Sequence, residues 1–355
     1  MKVALITDQH FGARNDSTHF LDFYEKFYNE TFFPKLIEQN IKHVLILGDT
    51  FDHRKYVNLN TFHRARDMFF DRLWHHDITA YVLAGNHDTF FKNTNKVNSV
   101  RLFLREYTNI HVIDHPSTIY LTDDNNKFKY PICMMPWICA ENYEDSMETL
   151  KDTKADICMG HFEIAGFSMY RGMTSEEGLN RELFKRFSMV FSGHYHHRSN
   201  ADNISYLGNP YELTWQDYDD PRGFHVFDLS NYNLEFIKNP NVMFHRITYD
   251  EGADVTDFTK YHNTYVKVVV INKSDPIAFE SFINKVHEVS PIDVTIVEDF
   301  TDLTEGVEDD MIDQSKSTLD IIYEFVDSIN QENINQLKLK KLLTELYVEA
   351  VNITE

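Results

Sequence analysis

Five short polar clusters in this chain contain the residue types that bind metal ions. Each follows a run whose composition predicts a β-strand, at residues 3–7, 43–47, 80–83, 156–159 and 189–192. Ligands at the ends of successive strands converge on one edge of a sheet in open α/β folds, so we expect the clusters to meet there. In chain order they are Asp8-Gln9-His10, Gly48-Asp49-Thr50-Phe51-Asp52, Gly85-Asn86-His87-Asp88, Gly160-His161 and Gly193-His194-Tyr195-His196.

The clusters together predict a site for two divalent metal ions. Two carboxylates, one amide and four imidazoles are about what two ions need when positions stay open for water and substrate. A carboxylate can bridge two ions about 4 Å apart, and Asp49 is the expected bridge. Mixed oxygen and imidazole ligation suits Mn²⁺, Fe²⁺ or Zn²⁺ better than Ca²⁺. The ligands predicted for one ion are Asp8, His10 and His196, and those for the other are Asn86, His161 and His194.

Such a pair of ions predicts hydrolysis of a phosphoester. The ions would lower the pKa of a shared water, give hydroxide near neutral pH, and clamp both non-bridging oxygens of a phosphate. His87 follows a predicted ligand, and we expect it to stabilise the developing charge and to protonate the leaving oxygen. A histidine that only supports the ligands or the fold is the alternative.

Three further polar residues lie beside the predicted ligands. Asp52 and Asp88 are expected to orient histidine ligands. Arg54 either grips a phosphate with both arms of its guanidinium or forms an ion pair on the surface. For His53, His75, His76 and His197 we expect exposed or internally bonded side chains without a catalytic role.

The charge of the chain weakens a nucleic-acid reading without excluding it. Phosphate contact relies on Lys and Arg, yet the formal net charge is −22. Residues 240–355 hold 9 basic and 23 acidic side chains, whereas residues 1–239 hold 25 and 33. Because bound metal ions invert the local field, the less acidic N-terminal part could still accept a phosphate chain.

Length and composition predict a cytoplasmic protein with one large domain and smaller appendages, or with two domains. The chain has 355 residues, and none of its apolar runs approaches the roughly 18 residues of a membrane span. Its three cysteines are expected to be reduced and buried.

Alternating helical and strand patterns over about the first 235 residues predict an α/β domain. Helical patterns cover residues 20–39, 59–76 and 97–107, and strand patterns cover 110–113, 132–135, 204–207 and 223–227. After residue 240, a strand at 264–271, a helix at 278–289 and a strand at 293–297 predict a small β-α-β module.

The C-terminal region has two amphipathic helical patterns behind an acidic stretch. Residues 298–313 hold eight acidic side chains and no basic one, which predicts a solvated linker. We expect the helices after it to dock onto a partner, with packing back onto the body as the alternative.

These motifs resemble those of the calcineurin-like metallophosphoesterases. Later segments narrow the likeness to the Mre11/SbcD nucleases, in their T4-type phage branch. Those segments are Pro136-Trp137, Gly172-Met173, Tyr206-Leu207-Gly208-Asn209-Pro210, Asp220-Pro221-Arg222-Gly223-Phe224 and Leu346-Tyr347-Val348-Glu349-Ala350.

The resemblance implies a four-layer α-β-β-α nuclease core and a 3′-to-5′ exonuclease and single-strand endonuclease of DNA recombination, repair and replication. It implies two Mn²⁺ ions per chain, with Mg²⁺, Fe²⁺ or Zn²⁺ as alternatives, and a homodimer. The domains would be the core at 1–238, a small α+β capping domain at 239–298, an acidic linker at 299–316 and a helical region at 317–355. That last region would bind an SMC-like ATPase of the Rad50/SbcC type.

The ligand set that the resemblance implies is the one assigned above, and His87 matches the transition-state histidine of these nucleases. Asp52 departs from the cellular Mre11 nucleases, which often have His there, whereas the phage branch and the wider superfamily have Asp. This leaves the balance between exonuclease and endonuclease activity open.

Two other functions stay open at this point. A small-molecule phosphomonoesterase or phosphodiesterase could use the same core, although it would have no evident use for the C-terminal helices. A non-catalytic scaffold on this fold would be supported by a missing ligand, and none is missing.

Overall fold

The computed structural model describes residues 1–123, 127–170, 173–251 and 257–298, together with residues 326, 339, 340 and 343. The chain divides into two compact units, Met1–Leu303 and Thr304–Glu355. The strands are β1 Lys2–Ile6, β2 His43–Ile46, β3 Thr79–Leu83, β4 Thr89–Phe91, β5 Thr94–Asn98, β6 Ile110–Ile113, β7 Ser117–Thr122, β8 Lys129–Met135, β9 Ile157–His161, β10 Ser168–Tyr170, β11 Met173–Thr174, β12 Met189–Gly193, β13 Ser199–Ala201, β14 Ile204–Tyr206, β15 Gly223–Asp228, β16 Asn233–Lys238, β17 Phe244–Asp250, β18 Tyr265–Asn272 and β19 Asp293–Val297.

The helices lie mainly between the strands of the first half of the chain. They are α1 Ala13–Asp16 (a single turn), α2 Thr18–Phe27, α3 Phe33–Glu38, α4 Leu59–Ala65, α5 Asp71–His75, α6 Ser99–Leu104, α7 Tyr143–Asp152 and α8 Pro276–Glu288. The π-helical segments are Tyr28–Phe32 and Arg66–Phe70, and the 3₁₀ turns are Arg181–Phe184, Trp215–Asp217 and Thr259–Tyr261.

Two six-stranded sheets form the centre of the first unit. The first has the order β16-β15-β1-β2-β3-β6, with β1, β2, β3 and β6 parallel. The second has the order β13-β14-β12-β9-β8-β7, with β14, β12, β9 and β8 parallel. Parallel strands have their carboxyl ends on the same side of a sheet. Each sheet therefore has one edge from which the loops with the polar clusters leave.

Side-chain alternation along the strands produces four layers. Leu5 and Leu45 point between the sheets, where they pack in one core with Phe191 of β12. Ala4 and Val44 point the other way, into a core shared with the helices α2 to α5. The outer face of the second sheet packs on α7 and the segments near it. The predicted α/β class with α-β-β-α layering is confirmed, and the three cysteines are buried free thiols as predicted.

The two long helical predictions at 20–39 and 59–76 are confirmed, and each contains a π-helical turn. Before Pro34, the N–H of Phe33 bonds to the carbonyl of Tyr28, five residues back. Proline has no N–H to continue the ladder, so a wider turn beside it accommodates the missing bond.

For the helix predicted at 97–107, the predicted first residue was wrong. Residues Thr94–Asn98 form β5, and α6 begins only at Ser99. The Asn98 side chain accepts a bond from Arg101 N at 2.8 Å and so caps the helix. Val97 therefore belongs to the strand, although its spacing matches the apolar face of the helix.

The predicted β-α-β module is present as β18, α8 and β19 in a parallel three-stranded sheet. Its third strand, β17, was not predicted. Phe244 and Tyr265 anchor the module in the first core, where their ring centroids lie 6.3 Å and 5.9 Å from that of Phe20. The domain boundaries remain predictions. The proposed linker and helical region lie outside the described residues, apart from residues 326, 339, 340 and 343.

Among the residues that the structure describes, no helix is both long and apolar enough to cross a lipid bilayer.

Replacing Leu45 by Ala tests the core between the sheets. Leu45 is fully buried there, so we expect a loss of about 2–5 kcal/mol in the free energy of unfolding from the cavity left behind. Leu102→Ala is the matched control, because Leu102 is 56% exposed. Denaturant titration measures both, and equal effects would contradict the layer assignment.

Candidate metal centre

The five polar clusters meet where the parallel strands of both sheets end. Asp8, Asp49 and Asn86 follow β1, β2 and β3 of the first sheet, whereas His161 ends β9 and His194 follows β12 in the second. The expectation of one edge of one sheet was therefore wrong. Strand pairing is a long-range property, and the chain order of the clusters did not reveal that the later two belong to a second sheet.

Asp49 occupies the junction between the two sheets. Its Oδ2 lies 3.3 Å from His161 Nε2 and 3.8 Å from His10 Nε2. Its Oδ1 accepts a bond from the backbone N–H of His87 at 2.8 Å. One buried carboxylate thus lies beside histidines that end or follow strands of both sheets.

Asp8, His10 and His196 form one group of donors beside Asp49. Their ligand atoms lie within 4.8 Å of one another. His10 Nε2 and His196 Nε2 face each other at 3.1 Å. Both Asp8 oxygens accept from the backbone N–H of His194 at 3.1 Å, and Thr7 Oγ1 donates to Oδ2 at 2.8 Å.

Asn86, His161 and His194 form the second group. Asn86 Oδ1 lies 2.9 Å from His161 Nε2 and 3.0 Å from His194 Nδ1. His161 Nδ1 donates to the carbonyl of Leu47 at 2.7 Å, which leaves Nε2 as its ligand atom. The structure therefore brings all seven predicted ligands together, in the two predicted groups, and the cluster could hold a pair of metal ions.

Burial and opposite charge together set the protonation of this cluster. Burial alone would lower the pKa of His10, but its bond to Asp52 and the nearby carboxylates raise that pKa to about 9. Burial is likewise outweighed at His161, where the charge of Asp49 raises the pKa to about 9. Against the effect of burial, the histidines hold the pKa of Asp49 well below its usual value. Without metal, protons thus supply part of the positive charge.

The backbone at the cluster is held in conformations that non-glycine residues rarely adopt. Asp8, His10, Asp49 and His194 have φ of 51°, 43°, 50° and 85°. Such residues persist where the surroundings fix them, and they concentrate at functional sites. A Cβ at Gly85 would lie 2.1 Å from Asp49 Oδ1, so only glycine fits there.

Asp52 positions two histidines through different atoms. Its Oδ1 accepts from His10 Nδ1 at 3.0 Å, which leaves Nε2 of that ring as a metal donor. Its backbone carbonyl accepts from His87 Nδ1 at 2.6 Å. The rings of His10 and His87 pack edge to face, with 4.9 Å between centroids. His87 thus lies against the ligands without being one of the seven.

Asp88 and Arg54 both bond to backbone groups of neighbouring loops. Asp88 was expected to orient a histidine ligand, but the bonds that the described residues make to its carboxylate come from backbone N–H groups and from Ser99 Oγ. Asp88 accepts from the backbone N–H of Gly85 at 2.9 Å and of Phe51 at 3.1 Å, which ties the Asn86 loop to the Asp49 loop. Arg54 donates from Nε to the carbonyl of Thr89 at 3.0 Å, and its phosphate role stays a prediction.

Sequence reasoning missed the role of Arg222, which is 5% exposed. Its Nη1 donates to the carbonyl of His196 and to Asn209 Oδ1, and its Nη2 donates to Asp217 Oδ1 at 2.8 Å and Asp220 Oδ2 at 2.7 Å. Asp220 also bonds His197 Nδ1 at 2.7 Å. The guanidinium therefore fixes the segment that carries a predicted ligand. The available signal was an arginine within five residues of three aspartates.

The chain is similar in sequence to proteins that are already known. The sequence model of the calcineurin-like phosphoesterases matches residues 1–198. "Exonuclease subunit 1" of Enterobacteria phage T4 is 34% identical over 309 residues, 85% of this chain and 86% of that protein. "DNA double-strand break repair protein Mre11" of Methanocaldococcus jannaschii is 23% identical over 358 residues, 96% of this chain and 88% of that protein. A dimetal phosphatase structure from Danio rerio is 11% identical, covering 64% of this chain and 91% of that one, and its TM-score of 0.35 adds nothing by itself.

Two substitutions at Asp52 test whether its carboxylate orients His10. Asp52→Ala removes the acceptor, so we expect Mn²⁺ affinity to fall about 10- to 100-fold. Asp52→Asn keeps an acceptor oxygen and should lose less. Calorimetric titration of Mn²⁺ measures both. Unchanged affinity in Asp52→Ala would contradict the role.

The pKa values near 9 predict opposite pH responses with and without metal. His10 and His161 are raised above the unfolded value of 6.5, so their contribution to stability is full below pH 6.5 and is lost as pH rises through about 9. Metal must displace those protons, so its affinity should rise over the same range. We expect the increase in Tm caused by Mn²⁺, relative to chelated protein, to grow from pH 6.5 to 8.5. An increase that shrinks would contradict this account.

Proposed function

Because this chain belongs to the calcineurin-like phosphoesterase family, we propose that it is a metal-dependent nuclease that hydrolyses phosphodiester bonds of DNA. The names of two relatives support the substrate, since one is an exonuclease subunit and the other a DNA double-strand break repair protein. The observation that carries the proposal is the pair of donor groups that share Asp49.

The donor set fits two divalent cations, which we propose to be Mn²⁺. Asp8, His10 and His196 would hold one ion, Asn86, His161 and His194 the other, and Asp49 both. Imidazole, amide and carboxylate donors suit Mn²⁺, with Mg²⁺, Fe²⁺ or Zn²⁺ as the alternatives. The Nε2 atoms of His10 and His196 lie 3.1 Å apart, so a single ion could contact both. When bound, two such cations supply an activated water and neutralise phosphate oxygens.

We propose that His87 acts on the leaving group. A carbonyl only accepts, so the bond to the Asp52 carbonyl places a proton on Nδ1 of His87. The other nitrogen, Nε2, can then carry a second proton toward an oxygen, as a general acid does. Asp52 serves as a positioning residue, because its carboxylate holds His10 and its backbone holds His87. Arg54 is proposed to contact the substrate from the same loop.

Similarity to these relatives also suggests how the chain assembles with other subunits. The name of the phage relative marks it as a subunit. We propose a homodimer in which residues 317–355 bind an SMC-like ATPase of the Rad50/SbcC type. A net charge of −22 fits a subunit that relies on such a partner to hold duplex DNA. The activities would be 3′-to-5′ exonuclease and single-strand endonuclease, in the cytoplasm (that of the host, if a phage encodes the chain).

Cleavage of end-labelled DNA by His87→Ala tests the proposed function. Loss of a general acid should lower kcat by about 10²–10⁴-fold while Mn²⁺ binding persists, because His87 is not a ligand. His63→Ala is the control, since that side chain is 70% exposed on α4. Cleavage should need Mn²⁺ and should rise when the cognate ATPase is added.

Two outcomes would contradict this proposal. Hydrolysis of a small phosphodiester with no DNA cleavage in any condition would indicate the small-ester enzyme instead. Failure to hydrolyse either substrate, with metal bound, would indicate the non-catalytic scaffold.

A further inference from the structure

Two segments beside the metal centre carry exposed aromatic rings, and both are called loops below. One is residues 53–58, and the other is residues 89–96 of the β4–β5 hairpin. Phe90 and Phe91 of β4 are 39% and 48% exposed, and their ring centroids lie 4.7 Å apart in an edge-to-face pair. Tyr56, four residues after Asp52, is 57% exposed and stacks on His53 at 4.5 Å. Adjacent exposed rings, unlike scattered ones, indicate a surface that meets another molecule.

Both loops are fixed to the metal centre. Arg54, next to His53, donates to the carbonyl of Thr89, the first residue of β4, at 3.0 Å. On β5, Asn95 Nδ2 donates to the carbonyl of Trp137 at 2.8 Å. The Trp137 ring lies 5.1 Å from that of His194, between ring centroids. A molecule bound to the rings would therefore keep a defined position relative to the cluster.

The charge of these loops is opposite to that of the whole chain. Residues 53–58 and 89–96 contain Arg54, Lys55, Lys92 and Lys96 and no acidic residue, although the net charge of the chain is −22. Lys96 forms an ion pair with Glu141. Basic side chains interleaved with exposed rings are the combination that binds single-stranded nucleic acid.

We infer that this rim (Tyr56, Phe90 and Phe91 with Arg54, Lys55 and Lys92) binds a single strand of the substrate beside the scissile phosphate. The inference rests on the proposed function and extends it to the substrate. Phe90 follows His87 by three residues, a reach of roughly 10 Å, or about three stacked base steps. Bases neighbouring the cleaved bond stack on the rings, and the basic side chains contact the phosphates between them.

Stacking explains how so acidic a chain holds a strand. Each base stacked on an aromatic ring contributes about 5- to 150-fold in affinity, whatever its sequence. That contribution is not electrostatic, so it does not depend on a large basic surface. Stacking would also favour nucleic-acid substrates over small phosphoesters, which have no neighbouring bases to stack.

The test compares substrates with and without bases in the full-length protein with Mn²⁺. The substrates are an oligothymidylate, an abasic strand of the same length and bis(p-nitrophenyl) phosphate. In Phe90→Ala/Phe91→Ala, the ratio of kcat/KM for oligothymidylate to that for the abasic strand should fall about 5- to 150-fold per lost base contact. Tyr56→Ala, on the other loop, gives an independent smaller fall if the double variant does not fold. Phe128→Ala is the matched control, because Phe128 is 62% exposed.

The outcomes separate this inference from the proposed function. A wild-type enzyme that cleaves DNA, with unchanged ratios in both rim variants, overturns the rim and leaves the nuclease standing. Equal losses on all three substrates also overturn it, since the effect would then lie in the metal centre. A wild-type enzyme that hydrolyses only the small diester contradicts the proposed function and the rim together.

Discussion

The burial of Asp49 is the constraint on which the site depends. An ionised carboxylate that is 2% exposed is costly unless positive charge and hydrogen bonds surround it. His161 of the second sheet, His10 of the first and the N–H of His87 supply these. Strands of two sheets must therefore end within a few ångströms of one oxygen pair. Glycine is required where a side chain would intrude on that space, as at Gly85.

A centre neutralised partly by protons is suited to exchange them for metal ions. Three buried carboxylates, those of Asp8, Asp49 and Asp52, lie among the buried rings of two histidines and the half-buried rings of two more. Burial and the charge of His10 lower the pKa of His196, so its ring stays neutral and available as a ligand. Burial, which would destabilise an isolated charge, thus leaves these side chains available as metal ligands. Asp52 holds the ring of His10, and Arg222 holds the backbone of His196.

Local patterns were enough to predict which side chains meet at the cluster and where the long helices lie, because residue type, strand composition and helical spacing are properties of a few neighbouring residues. The pairing of strands that are distant in the chain could not be predicted in this way. His161 and His194 proved to belong to a second sheet, and Asp88 binds backbone N–H groups of two loops where a histidine was expected. Arg222 donates hydrogen bonds to Asn209, Asp217 and His196, which lie up to 26 residues before it in the chain. Such contacts depend on the folded arrangement and leave little mark on spacing.

Anomalous diffraction from crystals soaked in Mn²⁺ would show whether the Asp49 carboxylate contacts two metal ions. We expect two peaks in each chain, one beside Asp8, His10 and His196 and one beside Asn86, His161 and His194. Both peaks should contact the Asp49 carboxylate, and both should weaken in crystals of Asp49→Ala. A single peak, or two peaks of which one lies away from Asp49, would mean that Asp49 is not shared by two ions.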